Sequence, residues 1–127
     1  MPAAFRAILA EQAAHDIILR PSLHSPCIDV WPKPAFQDEV RRRVGDTDPF
    51  RPGFDELTDD LTIDVFSVRP DAEGRIVLPK DLLDQVPLEA ELRFLGRDKF
   101  FQIWPARLWA ETRARRRERA RLRDEAA

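Results

Sequence analysis

Asp71-Ala72-Glu73-Gly74-Arg75-Ile76-Val77-Leu78-Pro79 compresses a turn, an apolar run and a helix start into one short stretch. The Asp71 carboxylate suits backbone N–H groups further along the chain, and Gly74 can take a positive φ without steric cost, so 71–75 is expected to be a tight turn. Ile76-Val77-Leu78 is expected to be a short buried strand. Pro79 suits a first helical position, where its missing N–H would be unpaired anyway. Leu82, Leu83 and Val86 then offer a short apolar face, which Pro87 ends. Before the turn, Ile63, Val65 and Ser67-Val68 look like a strand.

Beyond Pro87 the period changes. Leu92 and Phe94 alternate with Glu91 and Arg93, the mark of a half-buried strand. Gly96-Arg97-Asp98 reads as a hairpin turn. Phe101, Ile103 and Trp104 form a second strand stopped by Pro105. Ala106 to Leu122 is expected to be helical, with Trp109 able to pack near its start and almost wholly polar later turns.

The same order occurs earlier in the chain. Pro2-Ala3-Ala4-Phe5-Arg6 is followed by Asp16-Ile17-Ile18-Leu19-Arg20, then Cys27-Ile28-Asp29-Val30-Trp31-Pro32, then Phe36. This matches Pro79 to Leu83, Ala90 to Phe94, Phe100 to Pro105, and Trp109. Two copies are too few for a solenoid and fit a pseudo-twofold pair sharing one core. The expected fold is therefore α+β and β-rich, a duplicated small unit with short helices and a C-terminal helix. The first repeat is placed at 1–43 and the second at 61–127. An acidic linker at 44–60 separates them, marked by Gly45, Pro49, Pro52 and Gly53. Asp55 to Leu61 could add one short helical turn.

At 127 residues and 43% hydrophobic, the chain can bury one real core. No run approaches the roughly 18 apolar residues that span a bilayer, so no membrane role is expected. One cysteine, Cys27, makes no internal disulfide. A cytosolic protein is the expectation, with Cys27 as a small apolar filler rather than a reactive thiol. The net charge is −2, which argues against simple electrostatic attraction to DNA. The charge is uneven, however. Val44 to Asp64 holds seven acidic residues against Arg51, while Pro105 to Ala127 holds eight arginines against four acidic residues. Such asymmetry permits a local basic surface.

Arg75 offers a planar fork for phosphate or a guanine edge, or it is a structural arginine bonded to Asp71 across the turn. Arg69 could add a phosphate contact or stay solvated. The arginines Arg113, Arg115, Arg116, Arg117, Arg119, Arg121 and Arg123 could form a DNA-binding arm or a solvated helix end with Glu111 and Arg115 paired. Trp31, Trp104 and Trp109 are expected in the core or a subunit interface rather than stacked on bases. His15 and His24 lack further ligands nearby, so no metal is expected. No cofactor is expected either. No nucleophile motif or phosphate-cradling glycine loop is present, so the chain does not read as an enzyme. The carboxylates of Asp55 to Asp64 lack calcium-loop spacing and read as a solvated face.

The run Asp71-Ala72-Glu73-Gly74-Arg75 resembles the Asp-x-x-Gly-Arg signature of the MraZ family, which has the swapped-hairpin β fold of AbrB-like regulators. The duplication, the strands Phe101-Gln102-Ile103-Trp104 and Cys27-Ile28-Asp29-Val30-Trp31-Pro32, and the helix after each Trp-Pro match the same pattern. The resemblance implies a cytoplasmic, nucleoid-associated regulator of the division and cell-wall gene cluster, its own promoter included. Ring-shaped homo-oligomers would present many signature turns to repeated promoter boxes on double-stranded DNA. By carry-over Arg75 would contact DNA, with Gly74 and Arg69 beside it and Asp71 ordering the turn. The alternative is an oligomeric interaction module of the same fold that does not bind DNA, antitoxin-like or an assembly protein. Glu73, at a position often basic in the family, leans that way. So does the absence of a signature turn from the first repeat, where Met1 stands in the slot of Leu78. The expectation is that translation starts upstream and supplies a second hairpin; real loss would leave one DNA-reading turn per subunit.

Two small units with a shared core leave strand edges and aromatic residues that a single copy covers poorly. Light scattering at micromolar concentration should therefore show self-association. A lone 14.7 kDa species across that range would refute it.

Overall fold

The computed structural model describes residues 2–3, 5–7 and 16–126. Its architecture is mixed α+β, as expected, with a five-stranded sheet in which every pairing is antiparallel. Branched residues set the first hairpin, because they pack well on a pleated surface. Ile17–Pro21 (β1) pairs with Ile28–Pro32 (β2). After β2, Lys33–Val44 (α1) and Phe54–Thr62 (α2) lead to the short strand Phe66–Val68 (β3), which returns to pair with β1. Lys80–Gln85 (α3) then precedes the second hairpin, Leu92–Gly96 (β4) with Phe101–Pro105 (β5). Ala106–Ala126 (α4) completes the described chain.

The strand order β3-β1-β2-β5-β4 puts the two hairpins side by side along the β2–β5 seam. Ile17 faces Pro32 as Leu92 faces Pro105. At the seam, Asp29 faces Gln102. These two residues stand 73 positions apart, the same offset that separates the Trp-Pro pairs, so the pseudo-twofold axis passes between them.

The period of two along each strand divides the side chains between faces. One face carries Ile17, Leu19, Ile28, Val30, Phe101 and Ile103, sealed by Leu82 and Val86. Phe5 stacks on Phe101 at 4.1 Å between ring centroids, which ties the N-terminal residues 5–7 to this core. The other face carries Ile18 and Trp31, packed against Phe36 of α1. Trp104 is buried and meets Trp109 of α4 edge-on at 5.2 Å. Trp31 stacks on Phe100 at 4.4 Å. Cys27 is fully buried, and burial together with the Asp29 charge pushes its thiol up to about 12, which suits an inert filler.

Four local expectations are corrected. Ile76-Val77-Leu78 belongs to no strand: Ile76 and Leu78 touch the core while Val77 is 86% exposed. Its backbone finds no neighbouring strand among the described residues, so only the alternation survives. The upstream strand is shorter than expected, because α2 runs to Thr62 and Ile63 and Asp64 form its exit turn. For the same reason Asp55 to Leu61 is part of a nine-residue helix rather than a single turn. Pro79 caps α3 from just outside, so Lys80 takes the first helical position.

Leu82 fills the centre of the larger cluster with no exposure. Leu82→Ala should cost about 2–5 kcal/mol in urea unfolding. Val77→Ala should stay within about 0.5 kcal/mol. Similar losses at both positions would refute this division of the core.

Candidate nucleic-acid interface

The Asp71 carboxylate builds the turn. Its Oδ1 accepts from the backbone N–H groups of Glu73 and Arg75, both at 2.9 Å. Two backbone bonds close the loop: the Asp71 N–H donates to the Arg75 carbonyl at 2.9 Å, and the Gly74 N–H to the Asp71 carbonyl at 3.0 Å. Oδ2 is left for the Arg75 Nε, at 2.8 Å. Donation from the Arg75 backbone, then from its guanidinium, then from the Glu73 backbone, holds the Asp71 carboxyl below its ordinary range.

Arg75 therefore satisfies both of its sequence readings geometrically. Nε is anchored to Asp71, yet the side chain is 73% exposed. A second carboxylate, Glu73 Oε2, lies 3.2 Å from Nη2 and would compete with any phosphate. Arg69 is also exposed, and its Nε holds Asp16 Oδ1 at 2.9 Å.

A third arginine reaches the turn from the first repeat. Arg6 Nη1 donates to the Glu73 carbonyl at 2.7 Å, across 67 positions of sequence. The Arg6 side chain lies against Gly74, where an added Cβ would come within 2.2 Å of its Cδ. Gly74 is thus required by its φ of +80°, and an added Cβ would also push the exposed Arg6 side chain off the turn. Sequence reasoning passed over Arg6. The available signal was the repeat itself, in which Arg6 occupies the place of apolar Leu83.

The remaining candidates lie elsewhere. The α4 arginines are largely exposed. Arg107 pairs with Glu89 and Glu111, and Arg121 with Glu118 and Glu125. The anticipated Glu111–Arg115 pair does not form; Arg115 donates to the Thr112 hydroxyl at 3.3 Å instead. His24 borders a surface cavity, while His15 lies outside the described residues. Among the described residues no cluster of histidine, cysteine or carboxylate could hold a metal. No described helix is long and apolar enough to cross a membrane.

Because Asp71 is held in its charged form by the folded turn, it stabilises that turn above the ordinary carboxylate range. This contribution is lost as pH falls through its depressed value. The amide signals of Glu73 and Arg75 should shift together on acidification, and Asp71→Asn should abolish that joint titration. Gly74→Ala should broaden the same signals at neutral pH. A well-ordered turn in Gly74→Ala would contradict the strain at its positive φ.

The family model described as "MraZ protein, putative antitoxin-like" matches residues 64–127. The chain is 39% identical to Transcriptional regulator MraZ of Gluconobacter oxydans over 124 residues, covering 95% of this chain and 75% of that protein. It is 37% identical to the protein of the same name from Gluconacetobacter diazotrophicus, with 95% and 78% covered. The Rickettsia typhi protein of that name is 29% identical over 104 residues, covering 82% and 69%. With the signature turn, the duplicated hairpins and these matches together, the chain belongs to the MraZ family of transcriptional regulators.

Proposed function

We propose that this protein is a DNA-binding transcriptional regulator, and not an enzyme, that reads duplex DNA through the Asp71–Arg75 turn. The observation that carries the reading is an arginine fixed by its Nε and exposed at a rigid turn. Fixing one edge of a guanidinium lowers the entropy lost when the rest of the fork meets a phosphate or a guanine edge. Arg6, against Gly74, and Arg69, two residues before the turn in sequence, add positive charge, and Gly74 lets Arg6 lie close. In this reading 1–43 and 61–127 act as two repeats joined through 44–60.

Net charge −2 makes a single subunit a weak ligand for DNA. Homo-oligomers, ring-shaped by the family resemblance, would gather several turns on one rim and multiply weak contacts along repeated promoter boxes. The targets would be the division and cell-wall genes and the protein's own promoter, in the cytoplasm at the nucleoid. A second reading, an antitoxin-like or assembly module without DNA binding, draws on one observation: Asp71 and Glu73 both claim the Arg75 guanidinium.

A salt-dependent gel shift with DNA from upstream of its own gene separates the two. Arg75→Ala removes a contact worth about 1–3 kcal/mol per turn and should abolish specific retardation, with fold and assembly unchanged. Retardation equal to that of the parent protein would overturn the assignment of Arg75. Absence of salt-sensitive binding by the parent would favour the second reading.

A further inference from the structure

The sheet face opposite the larger apolar core carries a row of polar side chains. Arg20 faces Asp29 across the β1–β2 pairing, and Asp29 faces Gln102 across the seam. All three are buried. Arg20 is engaged through all three of its nitrogens: it donates to the carbonyls of Pro21 and Leu61, at 3.3 and 2.8 Å, and to that of Asp60. Those last two carbonyls lie at the end of α2, so Arg20 supplies donors that the helix end lacks. Gln102 is also engaged, donating to Asp29 Oδ1 at 2.8 Å and accepting from Arg97 and Trp104.

Asp29 is different. It is only 9% exposed, yet among the described residues just one of its two oxygens is bonded. No buried side-chain polar atom there lacks a partner, so Oδ2 is not sealed in; it opens on a cavity that Asp29 lines. The cavity measures about 410 Å³, within the size range of small-molecule sites. Phe36 and the stacked pair Trp31 and Phe100 give it an aromatic wall. Five arginine and lysine residues line it against three carboxylates, before His24 is counted; Glu39 holds Arg42 and, at 3.1 Å, Arg43, so a phosphate there would take the place of Glu39 on Arg43. Lys99, at the exposed hairpin turn, has no ion pair among the described residues.

A buried carboxylate, an aromatic wall and surplus positive charge together select an unusual ligand. It must donate hydrogen bonds at one end, present a flat ring, and carry negative charge at the other. We propose that this cavity binds a nucleoside phosphate, and specifically a guanine nucleotide, with the base edge on Asp29 and the phosphate on Lys99 and Arg43. Guanine presents two adjacent N–H donors, one for Oδ2 and one for the lone pair that Gln102 leaves on Oδ1. Adenine and cytosine set a ring acceptor beside their amine, which a carboxylate repels. The proposal is independent of DNA recognition, since this cavity shares no residue with the Asp71–Arg75 turn.

The test is calorimetric titration of the full chain with GMP, AMP, guanosine and inorganic phosphate, with tryptophan fluorescence as a second readout because Trp31 lines the cavity. GMP should bind at least about tenfold more tightly than each of the other three, a gap of about 1.4 kcal/mol. Asp29→Asn keeps the acceptor for Gln102 but can turn an NH₂ to the ligand, so it should erase the preference for GMP over AMP. Lys99→Ala and Arg43→Ala should weaken GMP severalfold and leave guanosine unchanged. No GMP binding at millimolar concentration, equal binding of inorganic phosphate and GMP, or an intact base preference in Asp29→Asn would each overturn the proposal. Should Asp29→Asn lose its circular dichroism signature, the exposed variants decide: unchanged GMP affinity in both also overturns it.

Discussion

The hydrogen bond from Gln102 Nε2 to Asp29 Oδ1 joins the two halves of the molecule at their pseudo-twofold axis. In a strictly repeated sequence the two positions would hold the same residue. Two aspartates facing across a buried seam would repel and force one to take a proton. An aspartate facing a glutamine is instead a donor and an acceptor in register. Burial still raises the Asp29 carboxyl above its ordinary range, opposed by the Gln102 bond and by the charges of Arg20 and Arg97. The cost of burying this charge is accepted at the place where register matters most. A slip by one residue at the seam would send every core side chain of β2 to the wrong face.

From that seam the two repeats diverge in what they support. The first repeat uses its strand arginine, Arg20, to hold the end of α2, and its proline-led segment to bring Arg6 to the signature turn of the second. The second repeat supplies the turn itself. The signature turn and the core are thereby coupled through short paths: Phe5 stacks on Phe101 in the core, and its chain neighbour Arg6 rests on Gly74. An exposed turn that carries Arg75 and meets Arg6 would be loosely ordered if it relied on surface ion pairs, which are weak and screened. Here backbone donors to one carboxylate fix it, and the arginines are then placed on a framework already set.

Much of this was legible in residue order. Alternation located β4 and β5, the repeat carried that reading to β1 and β2, the Asp71 and Gly74 chemistry located the turn, and the duplicated Trp-Pro steps located the two helices that follow. What was hidden depended on distant partners. Ile76 to Leu78 has strand composition, but composition cannot report whether a neighbouring backbone lies alongside. The acidic residues of α2 looked like linker because they carry little apolar signal, and Leu61 alone is buried there. Arg6 reaches Glu73 across 67 positions, a contact that no local pattern encodes. The polar row is intermediate. Its members sit at ordinary strand positions, and only the offset of 73 brings Asp29 opposite Gln102.

The basic C-terminal helix shows how the same network reaches the surface. Arg97 donates to Gln102 Oε1 at 2.8 Å, and its guanidinium carbon lies 5.7 Å from the Trp109 ring. Arg116 approaches the same ring at 5.5 Å, and Trp109 leans on buried Trp104. The first turns of α4 are therefore pinned to the seam through an aromatic held between two cations. Beyond Arg116 the only described residue not exposed is Ala120, and the order there comes from good helix formers and from the pairs of Arg121 with Glu118 and Glu125. Such pairs contribute a few tenths of a kcal/mol each and weaken with salt. The helix is thus anchored tertiarily at its start and held only by its own chemistry toward its end. Its arginines at 113, 117, 119 and 123 are thereby left on a solvated surface rather than committed to the core.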